Sequence, residues 1–389
     1  MGASAPVTPA ASLYVHVPFC AHKCEYCAFY SAPPSGDQVQ RYVQALVRDL
    51  ESAAARLRPR TVFFGGGTPS LLNLAQWRRV LEAMERLELL GAQEWTVECN
   101  PATVSADKAQ LLRQFGVNRI SMGVQSLDPA LLERLGRVHT RESVFRSFDT
   151  LRAAGFENIN LDLMFAIPGQ TLEVWRDTLR EVCALQSEHL SSYEVIYEED
   201  TPLFAQLQAG EFSVDEELAE TLHAELLAQA EAVGFRQYEV ANFAKDTTDN
   251  PAEIPARASL HNVNYWRGGS YLGLGPSAAG YMDGVRTRNW ANTRMYCELI
   301  ERGRSTVEFR EELVPVARAG ETAAFGLRMN AGWPFALFQQ TTGFDLRQQW
   351  AGDMEALVAC GQGQRNPHGF QLTSMGLRFA DAAAEQFLR

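Results

Sequence analysis

The sequence predicts an α/β protein built around a partial barrel of six strand–helix units, followed by a small C-terminal α/β domain. Short apolar runs rich in strand-forming residues recur along the first half of the chain. Each run is followed by a polar loop, and each loop leads into a stretch with helical periodicity. Repeated βα units of this kind form parallel sheets that curve or close like part of a (β/α) barrel.

The predicted strands and helices alternate along the barrel domain. The six strands are expected near 13–17, 61–64, 95–99, 118–122, 159–163 and 190–196. The six helices are expected over 38–57, 75–88, 105–115, 140–154, 171–185 and 215–233. The apolar residues of each helix recur at helical spacing, so we expect these apolar stripes to face the sheet.

The chain divides into three parts by composition. Residues 1–245 are expected to form the barrel domain. The polar, proline-bearing segment 247–259 favours a linker, and we assign 246–295 to this linker and an aromatic, glycine-rich junction. Residues 296–389 are expected to form the small domain, which ends in a hairpin or wing followed by a helix and is therefore winged-helix-like.

Composition and charge exclude several classes of protein. The 389 residues are 46% hydrophobic and 21% charged, which is typical of a globular protein with a large core. A net charge of −12 without a cluster of Lys and Arg argues against a nucleic-acid partner. The first residues lack the pattern of a signal peptide, and no apolar run could span a bilayer. These features predict a cytoplasmic protein that does not insert directly into membranes.

Three of the seven cysteines are concentrated in one short stretch. Cys20, Cys24 and Cys27 have the spacing C-x3-C-x2-C, whereas the other four are scattered singly and do not suggest a disulfide framework. Closely spaced thiolates can hold an iron–sulfur cluster. Zinc is the rival, with His16 or His22 as a fourth ligand. Three cysteines would leave one iron of a 4Fe-4S cube open for chemistry.

Other unusual residues also follow the predicted strands. GGGTPS (65–70) follows the second strand, ECNP (98–101) the third and GVQS (123–126) the fourth, and Asp162 closes the fifth. In a (β/α) barrel, reactive groups lie in the loops at the carboxyl ends of the strands. The three glycines would let the backbone approach a ligand closely, although a simple tight turn would also explain them.

The cysteine loop, with an aromatic residue before its third cysteine, resembles the radical S-adenosylmethionine (SAM) superfamily. Five stretches in the expected order resemble its coproporphyrinogen III oxidase-like group: YVHVPFC, GGGTPSLL, GVQSLDPALLERLGRVH, NLDLMFAIPGQTLE and HNVNYW. The similarity runs from about residue 12 to 380. It implies the partial barrel of that superfamily, with a 4Fe-4S cluster on Cys20, Cys24 and Cys27 and with SAM bound beside it.

The resemblance also implies which residues contact SAM. They are Tyr14, Tyr26, Gly66, Gly67, Thr68, Glu98, Gln125, Arg137 and Asp162. Charge agrees with this assignment, because Arg137 suits the SAM carboxylate and Glu98 suits a cationic group. Gln125 and Asp162 can hydrogen-bond ribose hydroxyls. Taken singly, these residues could instead be surface ion pairs and strand-end caps.

Three departures from the oxidase pattern favour the haem chaperone branch of the group. The oxidase has a further cysteine two positions after the third, whereas this chain has Cys27-Ala28-Phe29. The first strand begins near Leu13, so the oxidase's long N-terminal arm is not expected. HNVNYW resembles the HNxxYW stretch of the chaperones, for which a part in haem binding is proposed.

The resemblance therefore implies a chaperone that carries haem and delivers it to apo-haemoproteins such as respiratory enzymes. We expect a monomer or a cluster-dependent dimer. The oxygen-independent coproporphyrinogen III oxidase reaction is the alternative, and a zinc-stabilised interaction module without SAM chemistry is a weaker one.

The candidate haem site is the HNxxYW stretch. His261 could supply an axial nitrogen to iron, and Tyr265 and Trp266 could line a porphyrin beside Asn262. A hydrogen-bonded structural corner with core aromatic residues would explain the same stretch. Ala279 occupies a position where relatives commonly have His, which argues against axial ligation from that position.

Overall fold

A computed structural model describes residues 9–101, 103–245 and 254–389. Its largest sheet contains the six predicted strands, all parallel. They are β1 (Ala10–Val17), β2 (Leu57–Gly66), β3 (Glu94–Cys99), β4 (Arg119–Gln125), β5 (Ile159–Phe165) and β6 (His189–Glu194). They pair in sequence order from β6 to β1, as expected for successive right-handed βα units. The α/β partial barrel predicted from the sequence is confirmed.

Helices cover the outer face of this sheet. They are α1 (Gln38–Ala53), α2 (Leu74–Arg86), α3 (Ala106–Gln114), α4 (Pro129–Arg134), α5 (Arg141–Ala153), α6 (Leu172–Ala184), α7 (Pro202–Gln208) and α8 (Glu216–Ala232). Strand residues alternate between two environments. Phe64 packs on Trp77 of α2 with ring centroids 5.3 Å apart, whereas its neighbour Phe63 faces the inside of the barrel and stacks on His261. The outer face forms the main hydrophobic core.

Three further strands extend the sheet beyond the predicted six. β7 (Phe235–Glu239) and β8 (Asn242–Lys245) add an antiparallel pair beside β6. β9 (Leu272–Leu274) pairs in parallel with β1 at the opposite edge. Between them, α9 (Leu260–Trp266) carries the HNxxYW stretch and contacts β2. Much of the predicted linker 247–259 lies outside the described residues.

A second sheet follows in the chain. It is antiparallel, in the order β10 (Ala279–Met282), β11 (Val285–Asn289) and β12 (Val307–Glu312). α10 (Thr293–Glu301) interrupts it and returns to pack on α1, where the Tyr296 hydroxyl donates to Asp49 at 2.7 Å. Tyr296 and Cys297 belong to the main hydrophobic core, as do Leu272 and Leu274 of β9.

The C-terminal unit has a separate hydrophobic core around Trp333, Phe338 and Trp350. Its helices are α11 (Pro315–Gly326), α12 (Phe335–Thr342), α13 (Leu346–Gln349), α14 (Ala351–Ala359), α15 (Ser374–Arg378) and α16 (Ala380–Glu385). Its strands are β13 (Trp333–Pro334), β14 (Gly363–Arg365) and β15 (Gly369–Leu372). β14 and β15 form the predicted terminal hairpin, and α15 follows it.

The structure corrects three strand ends. β2 continues to Gly66 and β4 to Gln125, so the first two glycines of GGGTPS and the GVQ of GVQS lie within strands instead of after them. Asp162 does not close its strand, because β5 continues to Phe165. Its side chain lies inside the barrel instead of in the loop beyond. No helix within the described ranges is long and apolar enough to cross a membrane.

Candidate functional site

The cysteine loop between β1 and α1 is fixed at one end of the barrel. Its Glu25 N–H donates to Leu135 O at 3.0 Å, and Glu25 O accepts from Leu203 N at 2.9 Å. Leu135 lies between β4 and α5, and Leu203 lies in α7 after β6, so backbone bonds join the segments that follow the first, fourth and sixth strands. The sheet must curve for these segments to meet. The loop therefore closes part of the barrel mouth at the carboxyl ends of the strands.

Two of the three thiols accept hydrogen bonds from residues beyond their own loop. Thr68 Oγ1 donates to Cys20 Sγ at 3.5 Å, and Arg137 Nη1 donates to Cys24 Sγ at 3.6 Å. Burial raises the pKa of Cys27, and the nearby Cys24 and Cys20 raise it further. The three half-buried thiols thus share one electrostatic environment, and Arg137 supplies a positive charge beside it that would stabilise thiolates.

This donor set suits a cluster better than a single ion. Among the residues that the structure describes, no three His, Cys, Asp or Glu side chains converge to hold one metal ion. A tetrahedral zinc site with Zn–S bonds of about 2.3 Å would require sulfurs only about 3.8 Å apart. A cube of four irons accepts thiolates that are farther apart. His16 does not provide a fourth zinc ligand in this arrangement, because its Nε2 donates to Tyr30 O at 2.8 Å and its Nδ1 accepts from Tyr14.

The glycine loop lies directly against the end of β1. Gly67 N donates to Val17 O at 2.8 Å, and Thr68 N donates to Phe19 O at 2.7 Å. A Cβ on Gly67 would stand 2.6 Å from Phe19 O and 2.7 Å from Val17 O, closer than atoms can approach. Gly66 has a φ of +101°, a conformation that side chains rarely adopt. The triplet is therefore required for two backbones to meet beside the cysteine loop.

Two carboxyl groups face the inside of the barrel without an ion-pair partner among the described residues. Glu98 Oε2 accepts from Gly66 N at 3.1 Å. Asp162 accepts from Asn160 Nδ2 at 2.7 Å and from the Ser121 hydroxyl at 3.2 Å. Burial and the nearby Asp162 raise the pKa of Glu98 to about 8, and burial also raises that of Asp162. Two unpaired carboxyls in one enclosed space suit a cationic or hydroxyl-rich ligand.

Arg137 and Gln125 lie side by side at the mouth. The Arg137 guanidinium donates to Gly123 O and to the Cys24 thiol. A Cβ on Gly123 would stand 3.1 Å from Gln125 Nε2 and 3.3 Å from Arg137 Nη2. A bulge between Gly123 and Gln125 changes the strand register, and Gln125 has a φ of +63°. A left-handed conformation at a non-glycine residue is typical of sites where backbone strain is retained for function.

The two candidate tyrosines approach the site from different sides. Tyr14 projects into the barrel from β1, and its hydroxyl donates to His16 Nδ1 at 3.0 Å. Tyr26 packs against a separate apolar cluster under the cysteine loop, which includes Leu131, Leu135 and Leu203. Burial raises the pKa of both phenols, so both stay protonated and can donate a hydrogen bond. The structure thus places the nine SAM candidates and the three cysteines at this mouth or in the barrel interior beneath it.

The HNxxYW residues occupy a different position. The amino end of α9 is held by Glu94 at the start of β3, which accepts from Leu260 N at 2.9 Å and from His261 N at 3.0 Å. The cysteines lie at the carboxyl ends of the same strands. The first turn of α9 therefore closes the barrel from the end opposite the cysteine loop.

Both ring nitrogens of His261 already have partners. Thr61 Oγ1 lies 2.8 Å from Nδ1, and the Tyr265 hydroxyl lies 2.7 Å from Nε2. Because Thr61 donates to Ser12, Nδ1 is the donor to Thr61 and Nε2 accepts from Tyr265. Burial, with Arg119 nearby, lowers the pKa of His261 to about 3. Haem ligation by His261 would require the bond between its Nε2 and Tyr265 to break.

The other haem candidates are not assembled around one space. Asn262 lies in the first turn of α9, where its N–H donates to the Ser259 hydroxyl at 3.4 Å. Trp266 faces the C-terminal unit, with the Arg328 guanidinium 5.0 Å from its ring and Phe325 at 6.4 Å. Ala279 begins β10 in the second sheet.

Several residues that organise the site were not found from the sequence. Lys108 of α3 donates to Ser70 O and, at 3.0 Å, to Thr103 O. The Ser70 and Thr103 hydroxyls lie 2.6 Å apart, so the loop after β2 is tied to the loop after β3. Arg119 is buried inside the barrel and lies close enough to lower the pKa of Glu98 and Asp162. A lysine that acts through backbone carbonyls leaves no sequence motif.

Comparisons with known proteins agree with this geometry. The Radical SAM superfamily profile matches residues 14–182, and the HemN C-terminal domain profile matches 315–379. The haem chaperone HemW of Bacillus subtilis is 33% identical over 383 residues, which are 97% of this chain and 99% of that protein. HemW of Escherichia coli is 38% identical over 277 residues, or 70% of each chain.

Solved structures identify the same architecture. The coproporphyrinogen III oxidase HemN of Escherichia coli, described as a radical SAM enzyme, has a TM-score of 0.83 to this chain. It covers 99% of this chain and 91% of its own, at 22% sequence identity. At that identity the likeness establishes the fold alone. The match includes both the barrel and the C-terminal unit.

Proposed function

Because the chain belongs to the HemW-type family of radical SAM proteins, we propose that it is a haem chaperone with a 4Fe-4S cluster on Cys20, Cys24 and Cys27. The observation that carries the cluster assignment is the cysteine loop itself, which backbone bonds fix at the mouth beside Arg137. Sequence similarity to HemW proteins over nearly the whole chain supports the haem function. The departure from the oxidase pattern at Cys27-Ala28-Phe29 supports the same branch.

The side chains at the mouth suggest how SAM would be held. When bound, a cluster of this type supplies an electron that can cleave the sulfonium bond of SAM. Arg137 would hold the SAM carboxylate through paired N–H donors. Glu98 and Asp162 would accept from ammonium and hydroxyl groups, and the glycine loop would let the ligand approach the backbone.

The proposal includes where the protein acts and which proteins receive the haem. The chain would act in the cytoplasm and carry haem to apo-haemoproteins such as respiratory enzymes. Its net charge of −12 is unsuited to nucleic acid. The protein would work as a monomer or as a dimer that forms when the cluster is present.

One experiment separates this function from its alternatives. The cluster is reconstituted anaerobically, haem is titrated by absorbance, and coproporphyrinogen III is incubated with the protein, SAM and a reductant. A chaperone is expected to bind about one haem per chain and to form no vinyl-porphyrin product. Product over many turnovers would instead identify an oxidase. Zinc without iron or sulfide would identify a zinc-stabilised interaction module.

A further inference from the structure

The histidines of this chain differ sharply in their availability to a ligand. Four of the seven are buried, and each has at least one ring nitrogen in a hydrogen bond: His16, His139, His189 and His261. The Nε2 of His139 donates to Val124 O, and its Nδ1 is buried. The remaining three, His22, His223 and His368, keep solvent exposure. A ligand that binds an imidazole nitrogen while the barrel stays folded must therefore use one of these three.

Of these three, His22 lies in the cysteine loop at the mouth and is the most available to a ligand there. It lies between Cys20 and Cys24, is exposed, and forms no hydrogen bond with the described part of the chain. His223 is half-buried on α8, with its ring 5.8 Å from Phe165. His368 is in the β14–β15 turn of the C-terminal unit.

Large apolar side chains on the segments that form this mouth are unusually exposed. Phe29 and Val138 are each 69% exposed, and Ile196 is 67% exposed. These are the three most exposed large apolar residues in the described ranges. Phe29 lies in the cysteine loop, Val138 follows Arg137, and Ile196 follows β6. We call these three residues the apolar rim.

Backbone contacts hold the chain segments that carry the rim residues close together. The Glu25 bonds to Leu135 and Leu203 join the segments that carry the three rim residues. Arg137, next to Val138, reaches Cys24. A monomeric protein rarely leaves several large apolar groups exposed together unless they receive a ligand or partner. His22 and the cationic Lys23 are on the same loop as Phe29.

We propose that haem binds across the apolar rim and that His22 is its axial ligand. This inference rests on the haem function proposed above and names its site. A neutral imidazole nitrogen of His22 would coordinate the iron. The porphyrin face would cover Phe29, Val138 and Ile196, and Lys23 would attract a propionate. His261 would keep its structural bonds.

The test uses the full-length protein with its cluster reconstituted, and haem alone as the titrant. The H22A variant is expected to lose the absorbance and EPR signature of imidazole-ligated haem and to bind haem at least tenfold more weakly. Matched variants H223A and H368A are expected to retain both the signature and the affinity. I196S, on the rim, is expected to weaken binding while leaving the imidazole signature unchanged.

The outcomes distinguish the site from the function. An H22A protein that keeps the original signature and affinity would overturn this site, and loss of the signature in H223A or H368A instead would do the same. Iron and sulfide contents of H22A must equal those of the unaltered protein, since His22 is exposed and is not assigned to the cluster. If the unaltered protein binds no haem, the chaperone function itself fails, and this site with it.

Discussion

Glu98 illustrates how the surroundings of a single side chain can favour a cationic ligand. Inside the barrel it accepts only the Gly66 N–H, and no cation pairs with it among the described residues. The positively charged Arg119 is near enough to lower its pKa, but burial and Asp162 raise that pKa more strongly. A cationic group placed between the two carboxyls would remove this cost, so binding would be coupled to ionisation.

This arrangement predicts a specific dependence of stability on pH. Between the usual glutamate pKa of about 4.3 and about 8, folded Glu98 keeps a proton that the unfolded chain releases. The free energy of unfolding should therefore fall as pH rises through this window, by at most about 1.4 kcal/mol per pH unit for this group. Above pH 8 its contribution becomes constant.

Denaturant unfolding of the protein without ligands at pH 5, 6, 7 and 8 measures this effect. The E98Q variant lacks the titrating group, so its stability should fall less steeply than that of the unaltered protein. Taking the difference between the two proteins removes most contributions from other titrating residues. Parallel curves would show that Glu98 titrates near its ordinary pKa.

The cysteines permit a second prediction for single residues. Changing Cys20, Cys24 or Cys27 to Ala should abolish the broad iron–sulfur absorbance after anaerobic reconstitution. C183A is the control, because Cys183 is buried on α6 away from the loop. Equal loss of absorbance in the control would contradict the ligand assignment.

At the scale of elements, the contact between β1 and the glycine loop is the most demanding in the site. The G67A variant would place a methyl group against two backbone carbonyls, neither of which can rotate away. We expect the free energy of unfolding to fall by about 1–3 kcal/mol and SAM binding to weaken.

The matched control is G352A on α14, where an added Cβ meets no other atom within 4 Å. Alanine is a better helix former than glycine, so this variant should be as stable as the unaltered protein or up to about 1 kcal/mol more stable. Thermal unfolding and equilibrium SAM binding compare the two. If G67A is as stable as G352A and binds SAM equally well, the backbones of β1 and the glycine loop have room to separate.

At the scale of the whole molecule, backbone and side-chain contacts join the two hydrophobic cores. Val240 N donates to Arg328 O at 3.1 Å, and Asn330 N donates to Tyr238 O at 3.0 Å, which links the β7–β8 turn to the C-terminal unit. Arg267 also crosses the interface. Its guanidinium donates to Gly332 O at 2.6 Å and lies 4.8 Å from the Trp333 ring. Burial lowers the pKa of Arg267 to about 10.

Removing the Arg267 contact should make the two units less cooperative. R267M replaces the guanidinium by an apolar side chain of similar length, so the hydrogen bond to Gly332 and the charge over Trp333 are lost. We expect this to reduce the free energy of docking between the two units by about 1–3 kcal/mol. Calorimetry should then resolve a separate transition for the C-terminal unit. R347M is the control, since Arg347 pairs with Asp345 within that unit and is partly exposed. One unchanged transition in R267M would show that other contacts determine the docking.

Much of the architecture could be predicted because six strands and six helices have strong, regular patterns. The edge strand β9 could not, since it has only three residues within a glycine-rich stretch. Neither could the position of α9, which depends on Glu94 more than 160 residues earlier. Spacing indicated that Cys20, Cys24 and Cys27 act together. It could not show that His261 is bonded at both nitrogens, because its partners Thr61 and Tyr265 come from different elements.

The backbone bonds of Glu25 have a consequence for how the protein is maintained. A loop already held at two points by the folded barrel does not need iron to become ordered, so little of the binding energy of a cluster would be spent on folding. Loss of the cluster to oxygen or iron shortage would leave an intact scaffold. The same polypeptide could then be recharged repeatedly, without a new round of synthesis or the proteolysis that unfolded apoproteins undergo.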